Sequence, residues 1–163
     1  MTMKKTGDWK AATLLAMNLK KDLKAAQEMS LKRFAVKGEA IAIGHIENQD
    51  LNWEQLDPKY KAAKERQGYS DKIYVRTSTY FQNITSWVTD GKALVGVKRT
   101  VKNEDGESVA NIAKILEYGS KARNLKARPL WRPSWKETRD IWYKNDTPMK
   151  IYIEKFASKY KKV

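Results

Sequence analysis

The sequence predicts an α+β fold, in which a small antiparallel β-sheet is flanked by helices and preceded by a long N-terminal helix. Three observations carry this prediction. Apolar residues recur every three or four positions from Trp9 to Ala26, residues 93–97 form a short β-branched apolar run, and aromatic segments that begin with proline follow in the last third. Because no internal repeat or linker-like composition interrupts the 163 residues, we expect a single domain over residues 1–163.

The first element is a helical arm over about residues 8–46. Asp8 is a suitable N-cap, and six apolar side chains then follow at steps of three, four, three, four and three: Trp9, Ala12, Ala16, Leu19, Leu23 and Ala26. We expect one helix, or two pieces with a bend near residues 29–31. The spacing also suits a coiled-coil seam with another copy, but packing on the chain's own sheet is the favoured interpretation.

An α+β core is expected over about residues 47–145. Asp57 followed by Pro58 predicts a short helix that runs to Gln67. A hydroxyl within residues 77–79 is expected to cap a second helix that carries Phe81, Ile84 and Trp87 on one face.

The sheet is predicted from the apolar run at residues 93–97, which comes after a turn at Asp90-Gly91. We expect this strand to continue through residues 98–102, to turn at residues 103–106, and to return through Ser108 and Val109. The sequence therefore predicts a projecting hairpin with a polar tip.

The last third begins with an apolar run at residues 112–116 and a basic loop at residues 121–128. Pro129 then predicts the first turn of an aromatic-rich helix that ends near Tyr143. A basic C-terminal extension, about residues 146–163, is expected to hold a further helical stretch after Pro148 and a frayed tail.

The charge is strongly basic, with 33 Lys and Arg against 19 Asp and Glu and a net of +14. Residues 71–163 hold 20 of the basic and 10 of the acidic residues, a net of +10. Such a field attracts nucleic acid, an acidic membrane surface or an acidic protein, and composition does not choose among them. No apolar stretch is long enough for a membrane span and no signal peptide is evident, so we expect synthesis in the cytoplasm and no membrane partner.

Catalytic residues are few. The chain has no cysteine and one histidine, which removes thiolate chemistry and most zinc and Ser-His sites. Glu117 near Lys114 and Arg123 is a weak candidate for a general acid, and His45 is expected to be a helix-end histidine rather than a ligand. We therefore expect no enzymatic activity, no cofactor and no metal.

The basic loop and the aromatic residues after it, residues 121–135, remain a candidate binding surface. Arg and Lys interleaved with Trp can bind single strands by charge and stacking. The same residue types are enriched at protein interface hot spots, and the sequence leaves these two interpretations equal. The six tryptophans are spread along the chain, so most are expected in the core.

Five short motifs occur in a fixed order. They are L-N-W-E-Q-L-D-P at residues 51–58, T-S-T-Y-F-Q-N-I at 77–84, V-G-V at 95–97, L-E-Y-G at 116–119 and A-R-P-L at 127–130. This ordered set resembles the tail-completion and neck proteins of tailed bacteriophages, a family also labelled phage virion morphogenesis or tail-component protein. The resemblance covers roughly residues 45–137. Ser78 stands where many members carry Gly, and the basic C-terminal extension is additional.

The resemblance implies a non-enzymatic structural protein of the virion neck. In that family, copies form a ring, commonly sixfold, that joins the head connector or adaptor to the tail tube or its terminator, around the DNA passage. The two surfaces that neighbours would present to each other are expected at the hairpin, residues 100–107, and at the basic loop. The candidate interface residues are Lys98, Arg99, Lys102, Glu104, Asp105, Lys121, Arg123, Lys126, Arg128 and Trp131. The alternative function is a basic nucleic-acid-binding accessory protein that uses the same loop.

Overall fold

The computed structural model describes residues 7–157, and this part of the chain folds into six helices and one antiparallel pair of strands. The predicted α+β class with a long N-terminal helix is confirmed. The expectations for residues 1–6 and for the tail at residues 158–163 lie outside the described residues. The elements in order are α1 Trp9–Asn48, α2 Pro58–Arg66, α3 Thr79–Gln82, β1 Ile84–Thr89, β2 Lys92–Val97, α4 Val109–Tyr118, α5 Trp131–Asn145 and α6 Pro148–Lys155.

Helix α1 is continuous over 40 residues, so the arm is one helix and is not divided into two pieces near residues 29–31. Ser30 points into the protein instead of disturbing the helix. Its hydroxyl donates to the Asp146 carbonyl at 2.6 Å and accepts from the Trp142 indole nitrogen at 2.7 Å. The hydroxyl therefore ties the turn between α5 and α6 to the middle of α1.

The favoured packing of the arm against the chain's own sheet is confirmed, because α1 contacts both strands as well as α5 and α6. The elements approach one another closely at Gly38. A Cβ atom added there would lie 3.2 Å from Val95 Cγ2 on β2 and 3.4 Å from Thr138 Oγ1 on α5. A glycine at this position thus lets the sheet and α5 pack directly on the α1 backbone.

The sheet is a hairpin between β1 and β2, with Ile84 opposite Val97 and Thr89 opposite Lys92. Asp90 and Gly91 form the turn, both with positive φ (49° and 69°), as the tight hairpin turns that suit strand twist require. The predicted helix through Ile84 and Trp87 is therefore wrong, and α3 ends at Gln82. The run from Ile84 to Thr89 is rich in β-branched residues, which favour a strand.

The predicted partner of the β2 strand is also wrong. The strand ends at Val97, and residues 98–107 form a loop, within which Lys102 makes one isolated bridge to Ser108. The turn within this loop is as expected, because Asn103 accepts from the Glu107 N–H through its side chain at 2.8 Å. Residues 98–102 lack an alternating apolar pattern, so they have no buried face that would hold them in a sheet.

The helices predicted from Asp8, Asp57 and the proline signals are confirmed with small changes at their ends, whereas no hydroxyl side chain within residues 77–79 caps α3. Asp57 caps α2 by accepting from the backbone N–H groups of Lys59 and Tyr60. Helices α5 and α6 follow Pro129 and Thr147, and the apolar run at residues 112–116 lies within α4.

Two buried clusters hold these elements together. The larger one lies between the C-terminal end of α1, the loop after it, the segment before α3, and the starts of α4 and α5. Its buried members are Ala42, Ile46, Trp53, Ile73, Tyr74, Tyr80, Ile84, Val109 and Leu130. The smaller one joins Ala26 of α1 to Ile151 and Tyr152 of α6.

Candidate interface surface

Residues of the sequence motifs, although far apart along the chain, meet in the larger cluster. The Trp53 indole nitrogen donates to the Pro129 carbonyl at 2.8 Å, and the Arg128 Nε donates to the Glu54 carbonyl at 3.0 Å. The Tyr74 hydroxyl donates to the carbonyl of Arg128. The loop at residues 51–58 and the start of α5 are thus bonded into one unit.

Glu117 acts as the N-terminal cap of α5. Its Oε2 accepts from the backbone N–H groups of Leu130 at 2.7 Å and Trp131 at 2.9 Å, and its Oε1 accepts from Arg132 at 3.2 Å. These are donors that the first turn of a helix leaves without a partner inside the helix, and the negative charge also suits the positive end of the helix dipole. The carboxylate considered as a general acid is therefore engaged in holding two elements together.

Gly119, two residues later, allows the chain to turn back under α5. Its φ is +75°, and a Cβ atom added there would lie 2.8 Å from the Leu125 carbonyl oxygen and 2.9 Å from the Ala127 nitrogen. These distances are shorter than carbon contacts in folded proteins, so only glycine fits. The L-E-Y-G motif at residues 116–119 thus supplies both the carboxylate that caps α5 and the glycine that lies against the backbone of residues 125–127.

Arg128, one of the candidate interface residues, does not lie on the surface of the chain. Its residue exposure is 8%, and its guanidinium donates to the carbonyls of Glu54 and Gln55. Trp131 is half-buried against the larger cluster. Sequence alone does not reveal this, because a basic loop gives no indication of which of its side chains points inward.

The remaining candidate residues are exposed, and they lie closer together than expected. Arg123 of the basic loop lies 3.8 Å from Glu107 of the 98–107 loop, while Lys126 pairs with Glu54 at 2.6 Å. The two regions expected to form opposite sides of a subunit contact therefore border the same face. The other exposed candidates are Lys98, Arg99, Lys102, Glu104, Asp105 and Lys121.

A groove of about 960 Å³ separates these two loops from the segment that precedes α3. Its walls include the apolar side chains of Ile112, Ile115 and Leu116 from α4, and its rim carries both signs of charge. On the opposite wall, the Lys64 ammonium donates to the carbonyls of Lys72 and Val75, each at 3.0 Å. Burial lowers the pKa of Lys64, and these two bonds hold its side chain within the wall.

The exposed face of α5 was anticipated only in part, as the aromatic end of the candidate surface at residues 121–135. Trp135 is 55% exposed, against the expectation that most tryptophans lie in the core, and Tyr143 is 60% exposed. Together with Arg132, Lys136 and Arg139 they occupy positions that share one side of a helix. The helical spacing of these aromatic and basic residues is visible in the sequence and could have identified this face.

The single histidine lies near the end of α1, as expected. His45 Nδ1 lies 2.7 Å from Asp50, and its Nε2 lies 3.4 Å from Glu137 on α5. These contacts join the end of α1 to its neighbours. Within residues 7–157, no cluster of three or more His, Asp or Glu side chains is arranged to hold a metal ion, and no helix is long and apolar enough to cross a membrane.

Comparison of the chain with known protein families, with characterised proteins and with solved structures finds no match in any of the three.

Proposed function

We propose that this chain is a structural component of the neck of a tailed bacteriophage, where copies form a ring that joins the tail to the head connector around the DNA passage. The observation that supports this proposal most is the meeting of the ordered motifs. Trp53, Glu117 and Arg128 come from three of them, and each bonds to the segment at residues 128–132 or holds it in place. The residues on which the resemblance rests therefore hold segments of the fold together, as a non-enzymatic structural protein requires.

The proposed contact surface is the groove and its two bordering loops. Its rim of mixed charge, with Arg123 and Lys126 near Glu107 and Glu54, suits a polar contact with another protein. Since this surface is one face of the subunit, a closed ring requires it to meet a different face of the neighbour. The proposed partners are further copies of this chain, in a ring of six subunits, together with connector or adaptor and tail-tube or terminator proteins.

The first experiment is electron microscopy of lysates from the parent phage with this gene disrupted, beside a complemented control. The expected result is filled heads and separate tails that join only on complementation. Normal infectious particles from the disrupted gene would contradict the neck role.

Surface variants then locate the contact. The double variant Lys121→Glu, Arg123→Glu is expected to fold and to fail in complementation, because both side chains are exposed and reversed charge disfavours a complementary partner. Lys20→Glu, Lys24→Glu changes the charge equally on an exposed part of α1 and is the matched control. Arg128 is unsuitable for this test because it is buried. Equal particle yields from both double variants would refute this placement of the interface.

The alternative, a nucleic-acid-binding accessory protein that uses the basic loop, has less support at that loop. Arg128 is internal, and Arg123 and Lys126 face carboxylates. Phosphate binding there would first have to compete with these ion pairs.

A further inference from the structure

A depression of about 450 Å³ lies between β2, α4 and the first turns of α5, on a different part of the surface from the groove. Three aromatic side chains border it: Tyr118, Trp131 and Trp135. Tyr118 is 70% exposed and Trp135 more than half exposed, so much of each ring faces solvent. The volume lies within the range of about 300–1,000 Å³ that is typical of small-ligand sites.

Cations border the same depression and continue along the helix. Lys114 and Arg132 line it, and Lys136 and Arg139 follow on the same face of α5. With a rise of about 1.5 Å per residue, the three α5 cations span roughly 10 Å along the helix axis. This length suits contact with two successive phosphates of an extended strand.

Nearby acids do little to neutralise this row. Glu117 is the one acidic residue among the described residues that line the depression, and both of its oxygens accept from the backbone of α5. Asp140 lies 3.5 Å from Arg139 at an exposed position, where such a pair is weak. Arg132 and Lys136 make no ion pair with any residue between 7 and 157.

We propose that this face binds single-stranded nucleic acid, with a base stacked on the rings around the depression and the phosphates along Arg132, Lys136 and Arg139. Charge alone would suit any polyanion. Exposed aromatic rings between cations add a stacking surface that unpaired bases can use and that the bases of a duplex, stacked on each other, cannot. The inference is independent of the neck role, in which the DNA that passes is double-stranded.

The test is fluorescence anisotropy of a labelled oligothymidine of roughly 20 nucleotides, titrated with the full chain between about 50 and 200 mM salt. Tyr118→Ala is expected to weaken binding roughly tenfold, because stacking contributes about 1–3 kcal/mol per base. The triple variant Arg132→Gln, Lys136→Gln, Arg139→Gln is expected to reduce the slope of log K against log salt by about 1.4, at about 0.7 for each of the two phosphate contacts on a single strand.

The matched control is Lys10→Gln, Lys20→Gln, Lys24→Gln, which removes three exposed charges from the N-terminal half of α1. It is expected to bind nearly as the unaltered chain does, and circular dichroism establishes that every variant is folded. Equal losses in the control and α5 triples would overturn the site. The stacking would be overturned if duplex DNA bound as tightly as the single strand and Tyr118→Ala left the affinity unchanged. Displacement by polyglutamate at equal charge concentration would assign the face to an acidic protein instead.

Discussion

Removal of the Glu117 carboxylate is the sharpest test of the architecture described above. If this residue caps α5, Glu117→Ala should lower the free energy of unfolding. A solvent-exposed acid with a chemical role would instead be removed with little effect on stability. The two roles are thus separated by a measurement of folding alone.

The expected magnitude follows from the three N–H groups that Glu117 accepts from. Leu130 is fully buried and Trp131 half-buried, so their N–H groups would lose a partner that water replaces poorly, whereas the Arg132 N–H can turn to solvent. A buried unsatisfied donor costs about 1–3 kcal/mol, and a charge at a helix terminus contributes about 0.3–1 kcal/mol. We therefore expect Glu117→Ala to lower the free energy of unfolding by about 2–4 kcal/mol. For a chain of this size, that loss lowers Tm by roughly 5–15 °C.

The assay is thermal and urea unfolding followed by circular dichroism, with Glu117→Gln and Glu104→Ala alongside. Glu117→Gln keeps one acceptor oxygen and should cost about half as much as Glu117→Ala. Glu104 lies exposed in the 98–107 loop, and its removal is expected to change stability by less than about 0.5 kcal/mol. If Glu117→Ala unfolds within about 1 °C of the unaltered chain, the capping argument is refuted.

Three further predictions follow from glycine and tyrosine positions. In urea unfolding, Gly38→Leu should lower the free energy of unfolding by about 1–3 kcal/mol or more, because the new side chain would meet β2 and α5. Gly44→Ala, with open space around it, should raise the free energy of unfolding by about 0.5–1 kcal/mol. A reversed order would contradict the α1 packing. Tyr74→Phe should cost about 1 kcal/mol because it removes the bond to the Arg128 carbonyl. Tyr80→Phe should cost less, because the buried Tyr80 hydroxyl makes no hydrogen bond of normal geometry within residues 7–157 and has only the Trp131 indole as a weak partner. Equal losses in thermal unfolding would argue against this difference. Burial is the main cause that raises the pKa of the Tyr74 and Tyr80 phenols. Both therefore stay protonated in the folded chain above about pH 10, where the tyrosines of the unfolded chain ionise. The free energy of unfolding should then fall by up to about 1.4 kcal/mol per pH unit for each of the two tyrosines. Tyrosinate absorbance should then show at least two more ionised tyrosines in the unfolded than in the native chain near pH 11, and equal absorbance would show that these rings reach solvent.

Local signals in the sequence were sufficient for most of the helices. The caps at Asp8 and Asp57 and the proline at position 148 act within one or two turns, so they specify helix starts wherever the helix later packs. The same holds for the Asp90-Gly91 turn, whose backbone preference is local. The long arm, the α+β class and the basic charge were likewise available from the sequence.

The choice of strand that pairs with β2, in contrast, did not follow from local sequence signals. A strand at residues 92–97 can pair with a segment on either side of it, and only the buried face of Ile84 and its neighbours against α1 selects β1 as the partner. The tertiary structure likewise decided which charged residues are exposed. In the sequence, Arg128 and Glu117 are charged residues of the kind expected at the surface, yet carbonyl and N–H groups from other parts of the chain bond to them. The sequence determined most of the helices because their start signals lie within a few residues of them. The tertiary structure decided the strand pairing and the surface, because both depend on contacts between segments that are far apart in the sequence.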